Sequence, residues 1–579
     1  MKKSKIKQSR SILVAVAALL IGGGLLVGAA LQSTGTINAF TATNVSPGSG
    51  PIIGGTTITI TGTDFIQKVG WKQIAPGWSH TCAITYDDGQ LYCWGSNYRG
   101  QLGDNTTVNK TTPVLANNGD LSGKTVVAAT AGNSHTCALD TVGQVYCWGR
   151  NDNGQLGDNT TVNKRVPTLI NGGALAGKTI TAIAAGNYHT CALDTVGQVY
   201  CWGSNGDGQL GDSTTAEKHV PTLINGGALS GKTVAVISGG GDYTCAIDTT
   251  GQLYCWGRNS LGHLGDNTTV NKNIPTLING GALSGKNVVA VAGSHDHTCA
   301  IDTTGQLYCW GNNNHGQLGD NTTVNKSVPT LINGGALAGK TIAAVTAGAS
   351  STNSGTCALD TNNQIYCWGS NTYGQIGDGT TADSSVPVLV NGGALAGKTI
   401  TTIMSNAGGA CASDTVDLYC WGDNYTGELG NGTTVASSVP VLVSTSGLSL
   451  SMATPTVTVD GLGCANVTVV SSTEITCIVP AHVKGLTDVA VFINGATVTL
   501  QGAFEYVSPS GDDDDDGDNG GGGGNTTPDT PPNTGVGIYI SNNSELIVSL
   551  SVIFGVSVAA IIWLVASKKL RFANILNKR

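Results

Sequence analysis

Charge is what this chain of 579 residues has least of. Only 11% of its residues are Asp, Glu, Lys or Arg, where about 25% is usual. No basic patch or stripe stands out between its two ends, so nucleic-acid binding has no electrostatic footing. No Ser/His/Asp arrangement, no paired carboxylates in context and no His/Cys cluster at metal spacing occurs either. The expectation is a protein that is not an enzyme and that uses no cofactor, nucleotide or metal. The net charge of −9 comes partly from one acidic run, Asp512 to Asp516, and says little about the folded part. Gly fills much of the remainder, with 84 residues, beside abundant Asn and Thr. That is the composition of a turn-rich β protein.

The phrase Cys-Trp-Gly occurs seven times, at Trp94, Trp148, Trp202, Trp256, Trp310, Trp368 and Trp421, with intervals of 54, 54, 54, 54, 58 and 53 residues. One unit reads from Lys178. Thr179 to Ala185 is β-branched and strand-like, His189 to Leu193 is a second strand, and Gln198 to Trp202 is a third. A long polar loop carries Gly208-Gln209-Leu210-Gly211-Asp212. Val220 to Ile224 is a short fourth strand, whose Pro221 suits an edge. Four short strands per unit describe a propeller blade, and seven units close a ring that leaves few exposed edges.

The 16 cysteines are even in number and fall into close pairs, which points to disulfides and an oxidising compartment. The repeat pairs are Cys82 with Cys93, Cys137 with Cys147, Cys191 with Cys201, Cys245 with Cys255, Cys299 with Cys309, Cys357 with Cys367 and Cys411 with Cys420. Folding the chain about Val142 sets Cys137 and Cys147 opposite each other on antiparallel strands, near disulfide range. Zinc wants two to four residues between paired cysteines and is set aside. Each staple of this loop length contributes roughly 2–3 kcal/mol.

His-Thr-Cys-Ala-Leu, Tyr-Cys-Trp-Gly and Gly-Gln-Leu-Gly-Asp, recurring in register from Val69 to Val443, resemble the repeat of the regulator of chromosome condensation family. That resemblance implies a seven-bladed propeller. The family includes nuclear exchange factors for a small GTPase and a secreted bacterial inhibitor of β-lactamases. The exchange-factor wedge has no counterpart that we can place in this sequence.

Three recurring features invite chemistry. Gly172 to Thr179 fits the phosphate-binding loop pattern, as do Gly226 to Thr233, Gly334 to Thr341 and Gly392 to Thr399. Such a loop needs a helix after it, and here a strand follows, so these read as interblade turns. The Asp of each Gly-Asp (Asp104, Asp158, Asp212, Asp266, Asp320, Asp378) gives one carboxylate per loop, too few for calcium and suited to a turn. His80, His135, His189 and His297 stand two before a Cys. Tyr243, Gly355 and Gly409 replace them elsewhere, so packing or hydrogen bonding within the blade is expected.

Asn44 to Phe65 resembles the opening strands of an IPT/TIG domain, an immunoglobulin-like sandwich, and the segments from Val457 to Tyr506 resemble its remaining strands. The resemblance implies a discontinuous sandwich (40–66 and 453–507) carrying the propeller (67–452) as an insertion. Cys464 and Cys477 would form its disulfide.

Both ends fit export. A basic start precedes the apolar stretch Ser11 to Leu31, and two readings stand: a signal peptide within 1–39 or an uncleaved anchor. Residues 508–544 form an acidic, Gly- and Pro-rich stalk, expected to be disordered. It ends in Pro531-Pro532-Asn533-Thr534-Gly535, which resembles a sortase sorting signal with Pro where the pattern begins with Leu. An apolar span (545–567) and a basic tail (568–579) follow, a plain membrane anchor being the other reading. The expected location is the cell surface, in the plasma membrane or cell wall, with the ectodomain outside.

The functional expectation is a surface binding or adhesion protein for an extracellular protein or glycan, with inhibition of an extracellular enzyme as the alternative. Blade six carries four additional residues in its first turn, and Ala349, Ser350, Ser351, Thr352, Asn353 and Ser354 form the candidate recognition loop.

Overall fold

The computed structural model describes residues 41–508, apart from the short stretches 64–69, 87, 225, 349–353, 391, 415, 446–447, 449–454, 472 and 494–495. The apolar stretch 11–31, the stalk, the Pro531–Gly535 motif, the apolar span 545–567 and the basic tail all lie outside the described residues. Two compact units emerge: Lys68–Met452 form one, and Thr36–Gln67 with the chain from Ala453 onward form the other.

The first unit consists of seven four-stranded antiparallel sheets, each made of four consecutive strands. We number these blades 1 to 7. Blade 3 comprises Ile180–Ala185, His189–Asp194, Val199–Gly203 and Lys218–Ile224. Its fourth strand begins two residues earlier than Val220, because Gly203 pairs with Lys218 across a bulge. Between blades, Gly173–Leu175 makes one 3₁₀ turn and a strand follows at Ile180. This is why the phosphate-loop pattern there serves as a connection.

Each blade buries both faces against its neighbours. The second and third strands are buried at every position in blade 3, the polar His189, Thr190 and Asp194 included. The seven repeat tryptophans are fully buried. First strands of neighbouring blades pack on one another, including that of blade 7 on that of blade 1. Trp71, Ile74 and Trp94 of blade 1 share a core with Cys411, Leu418 and Leu429 of blade 7, which closes the ring.

All seven repeat cysteine pairs are bonded, one bridge in each blade. Cys82 is joined to Cys93, Cys137 to Cys147, Cys191 to Cys201 and Cys245 to Cys255. Cys299 is joined to Cys309, Cys357 to Cys367 and Cys411 to Cys420. In blade 2, Cys137 lies directly opposite Cys147 on adjacent strands, with Cα atoms 4.1 Å apart. The other pairs repeat this placement: Cys93, Cys201, Cys255, Cys309, Cys367 and Cys420 each sit on a third strand, facing the cysteine of the second.

The second unit has two facing sheets. Thr41–Ser46, Thr57–Thr63, Glu474–Ile478 and Ala465–Ser471 make one; Ser49–Pro51, Ala496–Val507, Gly485–Ile493, Thr456–Val459 and Leu462–Gly463 make the other. Ile58 and Ile60, before the propeller in sequence, pair with Cys477 and Ile475 beyond it. Both share one core with Val457, Val489, Val491 and Phe504.

The Cys464–Cys477 disulfide is corrected: both cysteines are free. Ala465 pairs with Ile478, so Cys464 sits diagonally from Cys477, where the blade pairs sit directly opposite. The two thiols instead share a hydrogen bond, which pulls the Cys464 thiol down and, with burial, pushes Cys477 up. Non-reducing peptide mapping of the unfolded, alkylated chain therefore yields seven bridges and two alkylated thiols. An eighth bridge joining Cys464 to Cys477 would contradict this register.

Candidate recognition face

Antiparallel blades send the turn between first and second strands, and the long loop between third and fourth, to the same end. The interblade connections and the tight second-to-third turns lie at the other. The long loops are built alike. The buried Asn97 side chain donates to Asp104 Oδ1 (3.0 Å) and to the Val108 carbonyl (3.2 Å), and accepts from the Leu102 N–H (3.0 Å). Asp104 accepts from the Thr106 N–H at 2.9 Å and hydroxyl at 2.7 Å, with Lys110 Nζ at 3.5 Å. Burial alone would raise this carboxyl; those donors outweigh it and hold it below its ordinary value. The recurring Gly-Asp is thus a loop brace.

These loops also join blade to blade. Trp202 Nε1 and the Thr190 hydroxyl both donate to the carbonyl of Gln155 in the preceding blade, each at 2.9 Å. His135 Nε2 lies 3.0 Å from that same Thr190 oxygen. The Thr proton is committed to the carbonyl, so the imidazole must donate, which fixes the proton on Nε2. Nδ1 is left without a partner in His80, His135 and His189. The histidines therefore bond across to the next blade, where bonding within the blade had been expected. Burial holds them neutral, down to about 3 for His80, His135 and His297 and about 4 for His189.

The first turns form a rim about the ring axis. Asn133 N–H donates to the Asn187 carbonyl (3.2 Å), Asn187 to Gly241 (2.8 Å) and Gly241 to Ser294 (2.8 Å), linking blades 2 to 5. Beside the four-residue insertion of blade 6, this rim also departs from the repeat in the side chains of blades 4 and 5. Asp242 and Asp296 stand where sister blades have Ser79, Ser134 and Tyr188. His295 takes the place of Asn133 and Asn187, and Tyr243 that of His189. In the long loop of blade 4, His263 replaces Gln101, Gln155, Gln209, Gln317 and Gln375.

Arg258 Nη1 lies 3.9 Å from Asp242 Oδ2 and 3.8 Å from Asp296 Oδ1. His295 Nδ1 is 2.9 Å from Asp296 Oδ2. Burial pushes the Asp242 carboxyl up. It pushes Asp296 up as well, but His295 and the nearby positive charge prevail and hold that carboxyl low. The Trp78 ring of blade 1 meets His295 edge-on across the axis, with centroids 5.9 Å apart. This cluster was missed by sequence reading, although the departures from the repeat mark it. Of the candidate loop in blade six, 349–353 fall outside the described residues. Ser354 is buried, and its hydroxyl donates to the Gly348 carbonyl at 3.1 Å.

Repeated four-stranded blades, closed first to last and joined by Trp and Thr onto a neighbour's loop, define a β-propeller of the chromosome-condensation repeat class. The chain belongs to the RCC1-like domain family, whose profile matches residues 55–353 and 121–469. It is 30% identical to the ultraviolet-B receptor UVR8 of Arabidopsis thaliana, over 64% of this chain and 81% of that one. It is 31% identical to the E3 ubiquitin-protein ligase HERC2 of Homo sapiens, over 65% of this chain but only 8% of that protein. Among solved structures, Prp20 of yeast bound to Kap60 superposes with a TM-score of 0.53 at 19% identity, over 67% of this chain and 88% of that one. At that identity the likeness is one of fold.

The expected cell-surface location with a membrane or wall anchor is corrected. No helix among the described residues is long and apolar enough to cross a membrane, and none of these relatives is by name a surface-tethered protein. The expectation rested on the terminal apolar stretches, outside the described residues.

The interblade bonds can be tested in two ways. Trp202→Phe and Trp256→Phe remove the same atoms, but only Trp202 makes the bond to the preceding carbonyl, Trp256 Nε1 having no partner. Urea unfolding should find Trp202→Phe less stable than Trp256→Phe by about 1 kcal/mol. The buried histidines set the pH response. An unfolded His titrates near 6.5, and the native ones near 3 to 4. Within that window the unfolded chain binds more protons, so stability falls as pH drops below about 6.5 and these groups leave it unchanged above. Urea midpoints measured from about pH 8 down to about pH 4.5 check the sign.

Proposed function

We propose that the propeller is a non-enzymatic recognition module that binds a protein partner through the face carrying its first turns and long loops. The observation behind this reading is where the blades differ. At the opposite end, blades 2 to 6 repeat nearly one turn, from Asp140-Thr141-Val142-Gly143-Gln144 to Asp360-Thr361-Asn362-Asn363-Gln364. On the proposed face, the long loops of blades 6, 7 and 1, consecutive around the ring, carry Tyr373, Tyr425 and Tyr98 at 41%, 82% and 68% exposure. Exposed tyrosines are what protein interfaces enrich. Among relatives of this fold, Prp20 was described with its binding to Gsp1p and histones, which supports protein recognition as a use of such a ring. We read the second unit as an IPT/TIG-type immunoglobulin-like sandwich; its two facing sheets, with strands from both sides of the propeller, favour this.

The test is affinity capture on the immobilised full chain, repeated with two double variants. Tyr98→Ser with Tyr425→Ser should lower affinity for the captured protein at least tenfold. Val142→Ser with Val196→Ser, at the opposite end, should leave it unchanged. Equal binding by both would refute the reading, as would capture of a glycan alone. Loss of activity in a captured enzyme would make the partner an inhibited one.

A further inference from the structure

We infer that the rim of blades 4 and 5 is a binding site for a cationic group, the ammonium or guanidinium of a lysine or arginine side chain presented by the protein partner. This deepens the recognition reading and rests on it.

Three observations carry it. First, the blades do not need these side chains. Sister turns hold the same backbone with Ser, Tyr or Asn where blades 4 and 5 have Asp242, His295 and Asp296, so a structural requirement does not account for them.

Second, the charge is unevenly met. Arg258 lies 3.8 and 3.9 Å from the two carboxylates, beyond hydrogen-bond length, and His295 meets only Asp296 Oδ2. Arg258 Nε is already bonded to the Ser260 hydroxyl at 3.2 Å. Asp296 Oδ1 is buried without a hydrogen-bond partner. Leaving a buried carboxylate oxygen unpaired is costly, and an incoming cation with N–H donors relieves that cost.

The third observation is independent of the acids. His263 is fully buried, and neither ring nitrogen forms a well-aligned hydrogen bond, although the Arg258 backbone lies beside it. Its ring is tilted against Tyr243 with centroids 4.8 Å apart, within electrostatic reach of Asp296, Arg258 and His295. Burial holds it neutral, with its pKa lowered to about 4, so one ring nitrogen keeps a lone pair for a donor. Trp78, reaching His295 from blade 1, adds an indole of the kind that favours cations.

The probes are acetyl-lysine methylamide and acetyl-arginine methylamide, titrated into the full chain at about pH 7.5 and low salt, where charge pairs are least screened. Imidazole NMR signals of His263 and His295 report binding, and His315, part-exposed on the blade 5 loop and paired with Asp383, is the control. Saturable shifts are expected at His263 and His295 only, and none with acetyl-norleucine methylamide. Asp242→Ser and His263→Gln install residues that sister blades already carry, so both should fold with unchanged melting temperature. Each should weaken probe binding at least tenfold. No saturable shift, an equal shift with the norleucine probe, or undiminished affinity in both variants would overturn the site. A silent titration beside a tyrosine double variant that loses its partner removes this site and leaves the recognition face. The converse pair of results leaves the site and removes the face.

Discussion

One carbonyl per blade carries the propeller. In blade 2 it is that of Gln155, which accepts the Trp202 indole and the Thr190 hydroxyl of blade 3. The same convergence joins blade 1 to blade 2 through Gln101, and blade 7 to blade 1 through Glu428, where Trp94 donates at 2.8 Å and Thr81 at 3.3 Å. This geometry dictates much of the repeated phrase. A Cβ on Gly157, with φ at +82°, would lie 2.6 Å from Trp202 Nε1, so the loop must carry Gly to let the indole approach. Thr precedes Cys in six blades, where its hydroxyl faces the neighbour; blade 7 has Ala410 there and keeps only the Trp421 bond to the Gln375 carbonyl. Cys follows on the other side of the strand, which leaves it free to bridge within its own blade, as Cys191 does to Cys201.

Strands and staples were legible because they are local. Four short strands, turns of Asp and Gly, and close cysteine pairs all declare themselves within the length of one repeat. What joins blades was not. His135 and Thr190 are 55 residues apart, and no local pattern assigns the partner of a buried imidazole, so the histidines read as internal to the blade. Cys464 and Cys477 misled for a related reason. The resemblance to a sandwich domain suggested a bridge, but the register there places the two diagonally. The terminal apolar stretches suggested a surface anchor, and family membership turned the reading elsewhere.

Near-perfect repetition also supplies a reference against which function can be sought. A residue present in every blade is explained by the blade. Asp242, His263, His295 and Asp296 occur where sister positions hold other side chains on the same backbone, and they leave charges loosely paired and an imidazole unpartnered. Such local dissatisfaction is tolerable because the disulfides of blades 4 and 5 and the Thr244–Gln209 and Trp310–His263 interblade bonds remain around it. The repeats of a solenoid or ring stabilise one another mainly as nearest neighbours, so one sector can be given over to binding while the others hold the fold.

Nearest-neighbour stability makes the closure between blades 7 and 1 decisive, since an open ring would leave two end blades with one partner each. Amide hydrogen exchange on the intact chain reads this directly. If the Trp94–Glu428 junction closes the ring, the third strands of blade 1 (Leu91–Gly95) and blade 7 (Leu418–Gly422) will exchange as slowly as that of blade 3. Rapid exchange confined to blades 1 and 7 would contradict the account.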